Sequence, residues 1–230
     1  MTNATTLRLA LAGAALSVLA CAGANVPMTS GASPTGSYSL QSLSAWRAYK
    51  GMTIPKGWLV VDGTITKEGE AEDLVSREQY GNFELSLDWK LAPGGNAGIF
   101  YRGTEEYEHI YWSAPEYQLL DDARHPDGRN RLTSAASAYG LYAPPAGVVK
   151  PAGEWNSTRI VARGNHIEHW LNGQKVVEYE LLSPDWASKV KASKFGEWPH
   201  YGLSPRGYIG IQGDHDGLLS LRNMSITVLP

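Results

Sequence analysis

The chain has 230 residues, a length that fits one large domain or two small ones. Its 20 Lys and Arg against 23 Asp and Glu give a formal net charge of -3, so it lacks the basic excess that nucleic-acid binding requires. A single Cys excludes a disulfide framework and a zinc site built from several Cys. The 25 Gly and 13 Pro, with only 19% charged residues, favour many short strands over long helices.

Residues 1–21 have the pattern of a bacterial export signal. Arg8 precedes an apolar run over residues 9–19, which is too short to span a bilayer core about 30 Å thick. The run ends in VLAC, which resembles a bacterial lipobox and implies cleavage before Cys21 and diacylation of its thiol. Ordinary signal-peptide cleavage near Ala20 is the alternative. The lipobox predicts an exported protein, periplasmic or held at the outer membrane by a lipid anchor.

Residues 22–39 form the predicted linker, since they are rich in Ala, Gly, Ser and Pro and carry no charge. The predicted folded domain covers residues 40–230, where strand and turn patterns alternate. Residues 83–91 alternate apolar and polar side chains, which predicts a half-buried strand with Trp89 in the core. Further strands are predicted over residues 97–102, 116–120, 158–163, 167–171, 176–181, 208–212 and 219–228.

The turns and the single helix complete this prediction. Asn172-Gly173 predicts a hairpin, because both residues tolerate a positive φ. One helix is predicted over residues 185–194, with Ser183-Pro184 at its start. Since neither an internal repeat nor a second domain boundary is visible, the pattern predicts one all-β domain, a sandwich or jelly roll.

Seven short motifs between residues 40 and 230 resemble, in order, those of the 3-keto-disaccharide hydrolase family, also called the 3-keto-glucoside lyase/hydratase domain. They are GW at 57–58 with VDGTI at 61–65, YGNFEL at 80–85, NAGIFYR at 96–102, EYQLLDD at 116–122, GEWN at 153–156, HIEHWLNG at 166–173 and GYIGIQGDH at 207–215. The last motif departs from the family pattern, because Gly213 separates Gln212 from Asp214-His215. The resemblance implies a single-domain concanavalin A-like jelly roll that cleaves 3-keto-glycosides, with a small carbohydrate as its substrate.

The implied reaction differs from ordinary glycoside hydrolysis. A ketone at C3 acidifies the proton on C2, so a base can remove that proton and the C1 substituent leaves by β-elimination. Water can then add to the unsaturated ketone. The reaction needs a base, a cation or donors facing the enolate oxygen, and an acid at the leaving oxygen. A divalent metal ion is a candidate for the second role, whereas no nicotinamide or flavin motif is present.

The catalytic candidates are Glu116, His215 and Arg102. Strand alternation places Glu116 and Gln118 side by side on one face, so Glu116 is the preferred acid/base or metal ligand. His215 lies between Asp214 and Asp216 and can act as acid/base or metal ligand; a turn cap is the alternative. The family motif carries this His, which favours function. Arg102 either stabilises the enolate or pairs with Glu116.

Substrate-binding and metal candidates extend this set. The residues predicted to bind substrate are Gln118, Trp112, Lys194, Trp198 and His169. Loop tryptophans can stack on sugar rings or anchor their loops, and the strand position of His169 is equally compatible with a packed structural role. The metal candidates are Glu116, Asp121, Asp122 and His215, although Asp121 and Asp122 also suit a turn.

Two other functions remain compatible with the sequence. One is a non-catalytic carbohydrate-binding module, since the same fold serves lectins. The other is a two-carboxylate glycosidase that uses Glu116 with Glu84 or Asp88. The favoured interpretation predicts one pocket that contains Arg102, Glu116 and His215.

Overall fold

Two antiparallel β-sheets packed face to face make up the part of the protein that the computed structural model describes, residues 35–230 together with Met1. Residues 2–34, which hold the predicted lipobox with Cys21 and most of the predicted linker, lie outside the described part. Within the described part, no helix combines the length and the apolar character needed to cross a bilayer.

The strands, in chain order, are β1 (Gly36–Ser39), β2 (Trp46–Ala48), β3 (Trp58–Val61), β4 (Thr64–Lys67), β5 (Leu74–Tyr80), β6 (Phe83–Leu91), β7 (Asn96–Gly103), β8 (Glu116–Leu120), β9 (Asn156–Arg163), β10 (His166–Leu171), β11 (Gln174–Glu180), β12 (Gly207–Ile211) and β13 (Leu219–Val228). The larger sheet has the order β11-β10-β9-β6-β13-β4-β3, with β1 also paired to β13. The smaller sheet has the order β2-β5-β12-β7-β8. Every strand predicted from residue 83 onward is present, within two residues at each end.

The core lies between the two sheets. In β6 the apolar residues are buried and the polar ones only partly so, in strict alternation, as the sequence predicts. Trp89 is 1% exposed, and its indole nitrogen donates to Thr158 Oγ1 at 2.9 Å. From the opposite sheet, Tyr117 and Leu119 of β8 enter the same core cluster. Glu116 and Gln118 therefore face away from the core, because strand side chains alternate between faces.

The last four residues of the predicted linker form a strand. Gly36–Ser39, at its end, form β1, which pairs antiparallel with the last strand from Val228 to Ser225. Ser37 Oγ and Thr227 Oγ1 lie 2.7 Å apart, so the hydroxyls that suggested a tether share a hydrogen bond across the strands. Low hydrophobicity does not prevent pairing here, because the pairing uses backbone groups that every residue carries.

The predicted helix is present as α1 (Pro184–Ala192), which begins where the sequence indicates. Ser183 Oγ accepts from the backbone N–H of Trp186 at 3.1 Å, and Pro184 occupies the first turn. The Trp186 ring stacks on Tyr179 with centroids 5.3 Å apart. This contact fixes α1 against the sandwich and brings Lys194 and Phe195, in the 3₁₀ turn that follows, to the outer face of the smaller sheet.

Candidate active site

A cleft of about 240 Å³ lies on the outer face of the smaller sheet. Its walls come from strands β7 and β8 and from four loops, one of which directly follows β12. The residues that line it are Asn96, Tyr111, Glu116, Gln118, Asp127, Tyr139, Lys194, Phe195, Gln212, Asp214 and His215. The cleft brings together four of the residues singled out from the sequence, Glu116, Gln118, Lys194 and His215.

The floor of the cleft is a row of residues across three strands. Gln118 of β8 lies opposite Gly98 of β7, and the backbone N–H of Gln212 donates to the Gly98 carbonyl at 2.9 Å. The Glu116 side chain lies across Gly98 so closely that a methyl group at residue 98 would collide with its carboxyl group. Glycine at this position therefore makes the space that the carboxyl group occupies.

The Glu116 carboxyl group is buried and held by its neighbour. With its amide nitrogen turned toward Glu116, Gln118 donates to Oε1 at 3.0 Å and to the Ala97 carbonyl at 2.9 Å. Burial raises the pKa of Glu116 to about 8; the Lys194 ammonium opposes that rise and nearby aspartates add to it. At neutral pH the carboxyl group is therefore largely protonated, the form that a general acid requires.

His215 lies on the turn after β12, with its side chain 41% exposed and its Nε2 3.8 Å from Asp214 Oδ1. The buried side chain of Lys67, a residue that is 1% exposed, holds this turn in place. Its ammonium donates to the carbonyls of Gly69 and His215. A buried ammonium bonded to backbone carbonyls is a costly arrangement, so it indicates that the position of this turn matters.

The inserted Gly213 is accommodated in the same turn. Its N–H donates to Asp73 Oδ1 at 2.8 Å, and its carbonyl accepts from Ala71 N–H at 2.9 Å. A side chain at residue 213 would collide with the Glu72 carbonyl. The inserted Gly213, which departs from the family pattern, is thus held by two hydrogen bonds. His215 and Gln212 still line the same cleft.

A cation completes the cleft. The Lys194 ammonium lies 4.5 Å from the centroid of the Tyr139 ring, an arrangement that favours a positive charge. The Tyr139 hydroxyl donates to Asp127 Oδ2 at 3.3 Å, and burial raises the pKa of Tyr139 to about 12. The predicted role for Lys194 is therefore compatible with its position.

The sequence analysis gave no role to Gln212, yet its side chain carries a buried oxygen without a hydrogen-bond partner among the described residues. The residue is 8% exposed, and the oxygen is Oε1. A buried acceptor without a donor costs free energy. Since it lies in the lining of the cleft, it is positioned to accept from a ligand hydroxyl. The QGDH motif was the one sequence feature that pointed here.

The prediction that Arg102 shares this pocket is wrong. Its Nε and Nη2 donate to the Gly81 carbonyl at 3.0 and 2.8 Å, and the residue is 3% exposed. The reason is local: Arg102 has φ of 54°, so the alternation that sets side-chain direction in β7 ends there. The guanidinium therefore joins the end of β7 to the turn between β5 and β6, and it does not line the cleft.

His169 does not line the cleft either. It is 0% exposed within the core, its Nδ1 donates to the Ala136 carbonyl at 3.0 Å, and its Nε2 accepts from the Tyr101 hydroxyl at 2.9 Å. Burial lowers its pKa to about 4, so it remains neutral. This position fits the structural alternative. Through Ala136, which donates to the Gln118 carbonyl, it supports the strand that carries Glu116.

The two loop tryptophans stack on each other, with Trp112 and Trp198 centroids 5.2 Å apart and planes at 13°. Neither lines the cleft. Trp112 contacts Tyr111 edge-on, and Trp198 packs against Phe195, so the pair supports two residues that do line it. These contacts fit the alternative in which the two tryptophans anchor their loops.

The predicted metal set does not assemble. Asp121 accepts from the N–H groups of Gly94 and Ala123, and Asp122 accepts from Ala135 N–H at 2.7 Å. Both carboxylates thus cap backbone turns, and neither lines the cleft.

The group in the described residues whose ligand atoms lie within 4.8 Å of one another is His166, Glu168 and Glu178, which line no part of the cleft. The Lys175 ammonium is 2.7 Å from Glu178 in that group and neutralises it.

The carboxylates first considered as partners of Glu116 lie on the other side of the sandwich. Glu84 and Asp88 project from the outer face of β6, in the larger sheet, where Asp88 accepts from Arg222 at 3.2 Å. The core separates them from Glu116. A two-carboxylate site with either residue is therefore excluded by the fold.

A jelly-roll sandwich with a polar, aromatic-walled cleft on its outer face has an architecture that lectin domains share. Residues 39–227 match the family described as 3-keto-alpha-glucoside-1,2-lyase-like domain. A relative from Bacteroides thetaiotaomicron, named 3-keto-disaccharide hydrolase, is 34% identical, with 82% of this chain and 76% of the relative covered. The chain therefore belongs to this family, and the resemblance inferred from the motifs is confirmed.

Solved structures agree with this assignment. A crystal structure from Parabacteroides distasonis, described as that of a "putative glycosyl hydrolase", is 32% identical with a TM-score of 0.77, covering 82% of this chain and 90% of that one. A Bacillus subtilis protein described as having a galectin-like fold is 13% identical with a TM-score of 0.53, covering 86% and 96%. At that identity the second likeness concerns the fold alone. The predicted jelly roll is confirmed.

Proposed function

We propose that the protein cleaves 3-keto-glycosides by removing the proton on C2 and eliminating the substituent on C1. The observation that carries this proposal is the cleft, in which a protonated carboxylic acid, an imidazole and an ammonium converge in a member of this family. Elimination needs one group of each kind, an acid, a base and a cation.

Glu116 is assigned as the general acid. Its raised pKa keeps the proton that the leaving oxygen must receive, and Gln118 fixes the orientation of the carboxyl group. When the C1–O bond breaks, the electron pair goes to the leaving oxygen, which takes the Glu116 proton. The product is an alcohol together with a sugar that is unsaturated between C1 and C2 and keeps its C3 ketone.

His215 and Lys194 are assigned to the first half of the reaction. The partly exposed imidazole accepts the C2 proton, and its exposure lets that proton pass to water. The electrons released from the C2–H bond move toward the C3 oxygen, and the Lys194 ammonium over Tyr139 lies at the cleft to stabilise that negative charge. Addition of water to the unsaturated ketone would complete a net hydrolysis.

A second reaction remains open because two further carboxyl groups line the cleft. Asp127 and Asp214 share it with Glu116, so a conventional glycosidase with a different carboxylate pair is geometrically available. The two reactions differ in whether the C2–H bond breaks and in whether a ketone is required.

The experiment compares a disaccharide with its 3-keto form, with hydrogen or deuterium at C2. We expect turnover of the keto form alone, a primary isotope effect on kcat, and an unsaturated ketone trapped or seen by ultraviolet absorption. Glu116→Gln and His215→Gln should remove turnover, whereas His166→Gln, outside the cleft, should retain it. Cleavage of the ordinary disaccharide without an isotope effect would favour the two-carboxylate reaction, and binding without turnover would indicate a carbohydrate-binding module.

We further propose that the protein is exported and attached to the outer membrane through Cys21. The support is the VLAC motif at residues 18–21 after an apolar run. Cys21→Ser should move the protein from the membrane fraction to the soluble fraction. An unchanged distribution, or absence of lipid on Cys21 by mass spectrometry, would contradict the anchor.

A further inference from the structure

A second and larger hollow, of about 920 Å³, adjoins the active-site cleft. Asp214 lines both spaces. The two also share a wall, because the His109 ring of the hollow stacks on the Tyr111 ring of the cleft, with centroids 4.8 Å apart and planes at 11°. The hollow therefore lies beside the cleft, on its Asp214 and Tyr111 side.

The lining of this hollow is held in place by bonds that do not depend on a ligand. The Tyr49 hydroxyl donates to the carbonyls of Thr104 and Tyr107 at 3.1 and 2.7 Å. On another side, the Trp58 indole nitrogen donates to the Glu72 carbonyl at 2.8 Å. A preformed space costs less ordering on binding than a loop that must close.

The charge of the hollow is predominantly negative. Glu70, Glu72, Asp73 and Asp214 contribute carboxyl groups to the lining, and Lys56 contributes an ammonium. Carboxylates accept hydrogen bonds from hydroxyls and attract cations. They repel other anions, and this repulsion strengthens as the charges approach each other and leave water.

We propose that this hollow binds the leaving group of the substrate and that it selects neutral or cationic leaving groups over anionic ones. The inference rests on the proposed reaction, in which the C1 substituent must project away from the sugar ring held in the cleft. The hollow adjoins the Asp214 side of the cleft, and its volume exceeds that of the cleft, so it fits a substituent of variable size. An uronic acid or other carboxylate in this position would face Asp214 and Glu72.

The test uses three aryl 3-keto-glucosides that carry a hydroxymethyl, an aminomethyl or a carboxymethyl group at the para position. The methylene insulates the phenol, so the three leaving groups differ mainly in charge. For the wild-type protein we expect kcat/KM to be lowest for the carboxymethyl compound, by roughly tenfold relative to the hydroxymethyl one. Raising the ionic strength should narrow that gap, because exposed charges are screened.

The variant is the pair Glu70→Gln and Glu72→Gln, two exposed side chains that line the hollow and not the cleft. It should reduce the gap to about threefold or less while kcat/KM for the hydroxymethyl compound stays within about twofold. The matched control is the pair Asp62→Asn and Glu154→Gln, which removes the same charge from exposed positions outside both spaces. The control should leave the gap unchanged.

The outcomes distinguish a wrong assignment of the hollow from a wrong assignment of the reaction. Equal turnover of all three compounds, or a gap that the variant and the control alter alike, would overturn the assignment of the hollow. Binding of the three unoxidised glucosides, measured by calorimetry, reports on the hollow without turnover. One outcome is that no keto compound is cleaved, yet the carboxymethyl glucoside binds most weakly and the double variant removes this difference in affinity. In that case the proposed reaction is wrong and the hollow is still a binding site.

Discussion

The carboxyl group of Glu116 rests directly on the backbone of Gly98, one strand away, so that any side chain at residue 98 would displace it. This contact joins a glycine of the NAGIFYR motif to a glutamate of the EYQLLDD motif. The two motifs are neighbours because β7 and β8 pair, with Phe100 opposite Glu116 and Gly98 opposite Gln118.

Gly98→Ala should therefore reduce activity without loss of the fold. A methyl group would push the Glu116 carboxyl group aside, and a displacement near 1 Å at a reacting group costs about 100-fold in rate. The measurement is kcat on a 3-keto-glycoside together with thermal melting. Gly36→Ala, whose added methyl meets only ordinary contacts, is the control. Full activity in Gly98→Ala would show that Glu116 need not occupy its present position.

The pH dependence of activity should show the raised pKa of Glu116. The group acts in its protonated form, so kcat/KM should fall as pH rises through about 8. If Glu116 were the base instead, kcat/KM would rise through the same range. The measurement is a pH–rate profile, and Glu116→Asp is the comparison because it keeps a titrating group.

Stability should respond to the same group. A carboxyl group whose folded pKa lies above its unfolded value destabilises the protein increasingly as pH rises from the unfolded toward the folded pKa. Glu116→Gln removes this cost, so above pH 8 it should melt at a higher temperature than the wild type, by about 2–4 °C for each kcal/mol recovered. At pH 4 the difference should shrink. Identical melting at both pH values would contradict the burial argument.

Lys67 should act as a positioning residue for His215. Lys67→Met removes the donor to the His215 carbonyl, so the turn after β12 loses the hydrogen bond that holds it in place. We expect kcat to fall about tenfold or more with a smaller change in KM. The fall of activity near pH 8 assigned to Glu116 should remain. Lys191→Met, on the exposed face of α1, is the control. A uniform loss of stability with unchanged kcat would assign Lys67 a purely structural role.

Gln212 should recognise one hydroxyl of the substrate. Gln212→Met keeps the approximate length of the side chain and removes the buried acceptor, so kcat/KM should fall by about 10- to 100-fold. Substrates lacking single hydroxyls identify the partner, because the variant should no longer distinguish one of them from the parent compound. If the wild type and the variant rank every deoxy analogue alike, Gln212 Oε1 does not contact the substrate.

Much of the fold was predictable because its signals are local. The alternation in β6, the Asn172-Gly173 hairpin and the Ser183 cap of α1 each act over a few residues, and each is present. The shared face of Glu116 and Gln118 follows from the same alternation. Glu116, Gln118 and His215 lie in the family motifs, whereas Lys194 lies outside the seven motifs, and only the structure places all four in one cleft.

The predictions that were wrong depended on one dihedral angle or on distant packing. The positive φ of Arg102 interrupts the regular alternation of β7, and the guanidinium bonds to the Gly81 carbonyl and does not line the cleft. His169 was correctly assigned to an apolar face, but only the assembled core shows that both of its nitrogens are already bonded there. Asp121 and Asp122 look like ligands in the sequence, and the turn they cap exists only in the folded chain.

The sequence by itself determined the class of fold, the strands and the family, because apolar alternation, turn chemistry and ordered motifs are all read along the chain. Only the tertiary structure decided which loops meet at the outer face of the smaller sheet. The order β12-β7-β8 sets Gln212 and Gln118 on either side of Gly98, and burial at that place raises the pKa of Glu116. Desolvation and the position of the acidic hollow beside the cleft depend on how surfaces pack, and no single stretch of sequence specifies them.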